Sequence, residues 1–347
     1  MNNNRRRFWN IPFAAFLLAM LFAAGAHAQR YTGLVVFGDS LSDTSNNAIV
    51  FDNVIAPPGT PPGTLRTHVP IVSPAFIPTF PYASNQYSNG AVWVTPLAAA
   101  LGLSAAPSFA GGTNFAFGGA RTGPSPSSFP FSLLDQMGSF LAATHGIAPP
   151  GNLYVVQGGG NDARDAFALA ATGGNPASLV SQYVANISRI LMTLNAAGAR
   201  NILLVNVPDI GKTPAVQSLG PAAAALASSL SAAMNTALEA AVDDLPFAPH
   251  TRVFELDAYE LVDDIALKPR KFGLTDATSA CAASAACIAA PNRTFFWDGI
   301  HPTTAGHAII AQVALKELHI PQRCGESHRG YLRWDRDRAA CARHDRD

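Results

Sequence analysis

Two short stretches of the chain carry residue types suited to nucleophilic catalysis. Ser40 lies in Phe37-Gly38-Asp39-Ser40-Leu41-Ser42-Asp43, directly after an apolar run. A serine hydroxyl is a weak nucleophile until a base takes its proton, and it must also be open to attack. A tight turn at a strand end provides that exposure; an ordinary turn serine is the competing reading. His301 lies in Trp297-Asp298-Gly299-Ile300-His301-Pro302-Thr303. A carboxylate three residues before a histidine can hold one ring nitrogen protonated and leave the other free as a base. The bland alternative is a surface turn that caps the next helix. Of the nine histidines, His301 alone joins a local Asp to a Pro-Thr helix start.

Such chemistry also needs donors for a developing oxyanion. Gly119 follows Asn114-Phe115-Ala116-Phe117-Gly118 and offers a backbone N–H with no side chain in the way. Asn161 offers a side-chain amide, with Gly159-Gly160 before it leaving room. Each also has a structural reading: glycines for close packing, and Asn161-Asp162 as a turn. Gly158-Gly159-Gly160 lacks the lysine of a P-loop and the Gly-x-Gly-x-x-Gly spacing, which argues against nucleotide binding.

The elements around these residues read as alternating strands and helices. Leu34-Val35-Val36-Phe37, Leu153-Tyr154-Val155-Val156 and Ile202-Leu203-Leu204-Val205 are continuous apolar runs, as buried parallel strands require. Residues 114–117 and 253–256 are two further strand candidates. Helical spacing appears over 92–101, from Leu179 to Leu194, over 221–243 and over 303–318. Residues 55–82, rich in proline and glycine, form a long loop of the kind kept for substrate access. The pattern predicts one α/β domain, a three-layer α/β/α sandwich with about five parallel strands. Functional groups in such sheets collect at the carboxyl ends of the strands.

Composition limits the partners. The 347 residues are 48% hydrophobic and only 13% charged, against an ordinary charged fraction of roughly 25%. Lys+Arg and Asp+Glu are both 23, so no basic excess points to nucleic acid. Arg5-Arg6-Arg7, an apolar run over 11–24 and Ala26-His27-Ala28 follow the order of a secretory signal peptide, cleaved after Ala28. The run is shorter than the roughly 20 residues that span a bilayer, and no later stretch is long and apolar enough to do so. The mature chain is therefore expected outside the cytoplasm, secreted or periplasmic, with no integral membrane segment. Residues 29–322 would form the domain. Residues 323–347, arginine-rich with Cys324 and Cys341, would be a disordered or loosely attached tail without an assigned role.

In order along the chain, the four blocks resemble the GDSL, or SGNH, hydrolase family. Gly38-Asp39-Ser40-Leu41-Ser42-Asp43 matches its first block, 114–119 the second, Gly159-Gly160-Asn161-Asp162 the third and Asp298-Gly299-Ile300-His301-Pro302-Thr303 the last. Asn89-Gly90 with Trp93 and Leu97, and Gly118-Gly119-Ala120-Arg121-Thr122, look like its secreted bacterial and plant-type branch. The resemblance implies a flavodoxin-like fold and a secreted esterase or lipase working through an acyl-enzyme. Ser40 would be the nucleophile, His301 the general base and Asp298 its orienting partner. Ser40 N–H, Gly119 N–H and the Asn161 amide would form the oxyanion hole. No metal or organic cofactor is implied, and the partner is a small ester or lipid. Phospholipase, lysophospholipase or acyltransferase activity stays open within the family. A polysaccharide acetylesterase and a non-catalytic binding module are further alternatives. Cys281 and Cys287, in an Ala-rich loop of an exported chain, are expected to form a disulfide, since a zinc site lacks nearby histidines.

Overall fold

Four parallel strands form the centre of the protein: β1 (Leu34–Phe37), β2 (Leu153–Gln157), β3 (Asn201–Val205) and β4 (Arg252–Leu256), ordered β1-β2-β3-β4. The computed structural model describes residues 30–55, 86–124 and 129–319, without the side chains of 51–55 and 319. The expected signal peptide, the tail and nearly all of the 55–82 loop lie outside the described residues. The four strands and the ten helices named below lie in the unit that begins at Tyr31.

The apolar strand runs are continuous because both faces of the sheet are covered. Val35, Phe37, Tyr154, Val156, Ile202 and Leu204 point to one face. There they meet α3 (Leu133–Ala143), α4 (Gly160–Ala171), α5 (Ala177–Ala197) and α7 (Pro221–Asp243). Leu34, Val36, Leu153, Val155, Leu203 and Val205 point to the other. Their partners are α2 (Val94–Ala100), α8 (Ala258–Leu267) and α10 (Thr304–His319). The period-two alternation of strand side chains thus builds two cores, one on each face. Each aliphatic side chain removed from water there contributes about 1.5–3 kcal/mol. Three short or peripheral helices complete the set: α1 (Asn46–Ile55), α6 (Pro214–Gln217) and α9 (Ala285–Ala289).

The expected three-layer α/β/α architecture is present, with one correction to the strand count. The 114–117 run does not form a full strand. It lies parallel beside β1 through a single bridge between Val36 and Asn114. Val36 N–H donates to Thr113 O at 3.1 Å, Phe115 N–H to Val36 O at 2.8 Å and Phe117 N–H to Gly38 O at 3.1 Å. The next ladder donor, Gly38 N–H, goes instead to Gln136 Oε1, so regular pairing stops there. Since this segment falls between β1 and β2 in sequence but outside β1 in space, the chain reverses direction across the sheet at the β1/β2 boundary. A reversal of that kind opens a crevice at the carboxyl ends of the strands on either side of it.

Candidate active site

Ser40 follows β1 at that crevice, in a turn fixed from several sides. Gln136 of α3 accepts from Gly38 N–H at 2.8 Å and donates to Gly38 O at 2.9 Å. Gln157, the last residue of β2, accepts from Ser42 Oγ at 2.8 Å and donates to Asp39 Oδ1 at 3.1 Å. Asp43 caps α1, its carboxylate accepting from the N–H groups of Ser45, Asn46 and Asn47. The same carboxylate accepts from Gly118 N–H at 2.9 Å and so ties the turn to the Gly118-Gly119 segment. Burial pushes the pKa of Asp43 up to about 6, despite these four donors. Burial also raises Asp39 to about 6, opposed by hydrogen bonds from Leu41 and Gln157.

His301 sits on the turn before α10. Asp298 Oδ1 accepts the backbone N–H groups of Ile300 and His301, each at 2.7 Å, and Oδ2 lies 2.7 Å from His301 Nδ1. A carboxylate only accepts, so Nδ1 carries the proton and Nε2 is the free acceptor. Nε2 lies 2.9 Å from Ser40 Oγ, a contact between residues 261 apart in the chain. All three residues are buried. Burial alone would raise the Asp298 pKa; the charge of His301 and the three N–H donors instead hold it below the ordinary carboxylate value. His307, in the first turn of α10, is held down to about 3 by burial and then by the charge of His301. Its imidazole is therefore uncharged near neutral pH.

Asn161 reaches the same place from β2. Gly159 takes φ +105° and a Cβ there would meet Tyr183 at 2.5 Å and Val207 at 2.8 Å, so only glycine permits this entry into α4. The expected Asn161-Asp162 turn is instead the first turn of α4. The Asn161 amide donates one N–H to Ala120 O at 2.9 Å, and its oxygen accepts from Arg164 Nη1 at 3.1 Å. An amide nitrogen has two hydrogens, so this anchoring leaves a second N–H. Gly119 sits in a left-handed turn with φ +80°. It belongs to the loop that carries Ala120, and that loop is stitched to α4. Thr122 donates to Asp162 through N–H and Oγ, Arg121 pairs with Asp165, and Arg121 Nη1 donates to Gly119 O.

Ser40, Asn161 and His301 line one cavity of about 300 Å³. Its remaining wall is largely apolar, with Phe167 on α4, Ile210, and Val216 and Leu219 in and after α6. The site thus combines a hydroxyl, an imidazole backed by a carboxylate, and an amide donor at the mouth of an apolar slot. Those groups can take up a proton, hold an oxyanion and accommodate a hydrocarbon chain.

Cys281 and Cys287 are joined, with Cα atoms 5.1 Å apart. Cys281 N–H donates to Phe296 O and Ala282 N–H to Trp297 O, so the bridged loop pairs with the residues that lead into Asp298. Among the described residues, no group of three or more His, Cys, Asp or Glu is placed to hold a metal ion. No described helix is long and apolar enough to cross a membrane.

Residues that motif reading passed over also shape the site: Gln136, Arg164 and Tyr87. The Ser132-x-x-Asp135 pair, which forms a capping box at the start of α3, is a sequence signal that would have revealed the helix carrying Gln136.

The chain is similar to several known proteins. The chain is 27% identical to the phosphatidylcholine-sterol acyltransferase of Aeromonas hydrophila, over 86% of this chain and 93% of that protein. It is 31% identical to Lipase 1 of Photorhabdus luminescens, over 59% of this chain and 26% of the lipase. It spans about half the length of several other curated relatives. Among solved structures, an acetyl xylan esterase aligns over 83% of this chain and all of that one, with a TM-score of 0.41 at 11% identity. The family model described as GDSL-like Lipase/Acylhydrolase matches residues 34–314, and the chain belongs to that family.

Proposed function

We propose that the protein is a serine carboxylester hydrolase, an esterase or lipase, that is exported from the cytoplasm. The contact chain from Ser40 Oγ through His301 to Asp298, opening on an apolar cavity, is the observation that carries this reading. Ser40 Oγ attacks the ester carbonyl carbon as His301 Nε2 takes its proton, and the carbonyl electrons move to oxygen. Asn161 and the backbone N–H groups of Ser40 and Gly119 hold that oxyanion. The tetrahedral centre collapses, the C–O bond to the alcohol breaks, and His301 returns the proton to the departing oxygen. Water repeats the sequence on the acyl-enzyme and frees the acid. Asp298 keeps Nδ1 protonated and steadies the imidazolium.

The test is hydrolysis of p-nitrophenyl esters of increasing chain length by the protein and by its Ser40→Ala variant. The variant is expected to lose on the order of 10³-fold or more in kcat. Stoichiometric fluorophosphonate labelling should fall on Ser40. Equal rates in the two proteins would end the reading. Export is checked by recovering the protein outside the cytoplasm with Gln29 at its N-terminus.

A second reading, lipid acyl transfer or phospholipid hydrolysis, is favoured by the apolar wall together with the similarity to the Aeromonas acyltransferase. Phospholipid vesicles with and without a sterol acceptor separate the two: transfer yields a sterol ester, hydrolysis a free fatty acid.

A further inference from the structure

Tyr87 lies between the two halves of the site. Its ring centroid is 5.4 Å from that of His301, with the planes 31° apart. Its hydroxyl accepts from Asn47 Nδ2 at 2.6 Å, and Asn47 in turn donates to Gly118 O at 3.0 Å. Gly118 presses directly on the ring: a Cβ there would come within 2.2 Å of Tyr87 Cε2. Tyr87 also shares a buried apolar cluster with Trp297, Cys281 and Ala282. Tyr87 is 5% exposed, so the ring has little room to swing.

We propose that Tyr87 is the positioning residue for His301. It sets the spacing between the imidazole and the Gly118-Gly119 turn, and it offers an aromatic face to the imidazolium that forms when Ser40 gives up its proton. The inference rests on the hydrolase reading above. Asp298 holds the Nδ1 edge of the His301 ring, and Ser40 meets its Nε2 edge. Rotation of the ring about its Cβ–Cγ bond would move Nε2 away from Ser40 Oγ. Tyr87 restrains that motion from the side. Aromatic rings also attract cations within about 6 Å of the centroid. The same contact therefore favours the charged state of His301 on the reaction path. The phenol itself stays protonated, because burial and then the charge of Asp43 raise its pKa. Its part is one of shape and π density, with no proton transferred.

The experiment compares Tyr87→Leu, Tyr87→Met and Tyr87→Phe with the wild type, using a short p-nitrophenyl ester. Folding is checked by circular dichroism, and Ser40→Ala sets the background. The aliphatic variants should lose about 10²-fold in kcat, as expected for an ångström-scale misplacement of a reacting group. Their KM should stay within about twofold. Fluorophosphonate labelling of Ser40 should slow in parallel. Tyr87→Phe, which keeps the ring and loses the hydroxyl with its Asn47 bond, should recover kcat to within about threefold. Folded aliphatic variants with near wild-type kcat overturn the proposal. So does a Tyr87→Phe defect as large as theirs, because the hydroxyl and not the ring would then be at work. If both aliphatic variants unfold, the Phe comparison still decides. A wild type no faster than Ser40→Ala would count against the hydrolase reading itself, not against Tyr87.

Discussion

Gln136 grips Gly38 through both of its backbone groups, accepting from the N–H at 2.8 Å and donating to the carbonyl at 2.9 Å. This clamp joins α3 to the last peptide before the Ser40 turn. In Gln136→Leu the Gly38 N–H and the Phe131 carbonyl, the other acceptor of the Gln136 amide, lose their partner inside the protein. An orphaned buried polar group costs about 1–3 kcal/mol, so the variant should lose about 2–4 kcal/mol in urea unfolding. A loss under about 0.5 kcal/mol would mean that the turn holds its shape without the clamp.

Asn161→Ala should lower kcat by about 10²–10³ while KM changes little, since its contact strengthens only as charge develops on the substrate oxygen. Steady-state kinetics on a short ester gives the answer. A change confined to KM would remove Asn161 from the oxyanion site.

Asp43 makes stability depend on pH in a defined direction. Its folded pKa, about 6, exceeds the ordinary 3.8. The folded chain therefore holds this proton more tightly than the unfolded chain. The stabilisation is complete below pH 3.8 and is lost as pH rises through about 6. Urea unfolding between pH 4 and 6 should show Asp43→Asn with a slope less negative than wild type by up to 1.4 kcal/mol per pH unit, the value of one proton. Equal slopes would mean that four N–H donors offset burial more fully. Asp298 acts with the opposite sign, since its lowered pKa makes stability fall as the medium turns acid.

Val216 lines the same cavity as Ser40, on its apolar wall. Val216→Trp should cut kcat/KM for octanoyl and longer esters by about 10-fold or more, the scale on which apolar pockets discriminate size. Acetate should stay within about twofold. A uniform loss across chain lengths would place the acyl group elsewhere.

What the sequence reveals here depends on how local the signal is. Strands β1 to β3 were visible because a sheet covered on both faces demands unbroken apolar runs. Ser40, Asp298 and His301 were visible because their motifs are short and self-contained. Asp298 reaches His301 across a single turn, so the pair announces itself. The contact of His301 with Ser40, by contrast, was an expectation that only the fold could supply. Gln136 and Tyr87 carried no such mark. Gln136 serves Gly38 from 98 residues away, and Tyr87 resembles any loop aromatic until His301 folds against it. Helix α4 was not assigned from the sequence, since Gly159-Gly160 usually signals a turn; here Gly159 lets the chain pass Tyr183 and Val207. The 114–117 run was counted as a strand because its composition is right. Gln136 takes the Gly38 N–H that would have extended the ladder, which leaves the run a single bridge to β1.

The 261-residue span between the nucleophile turn and the base has a consequence for biosynthesis. A ribosome releases the hydroxyl, the amide and most of the sheet long before it reaches the imidazole. Any nascent or clipped product ending short of position 301 would be inert, however well its front portion had collapsed. The site is complete only once position 301 has been made and the last helix has docked.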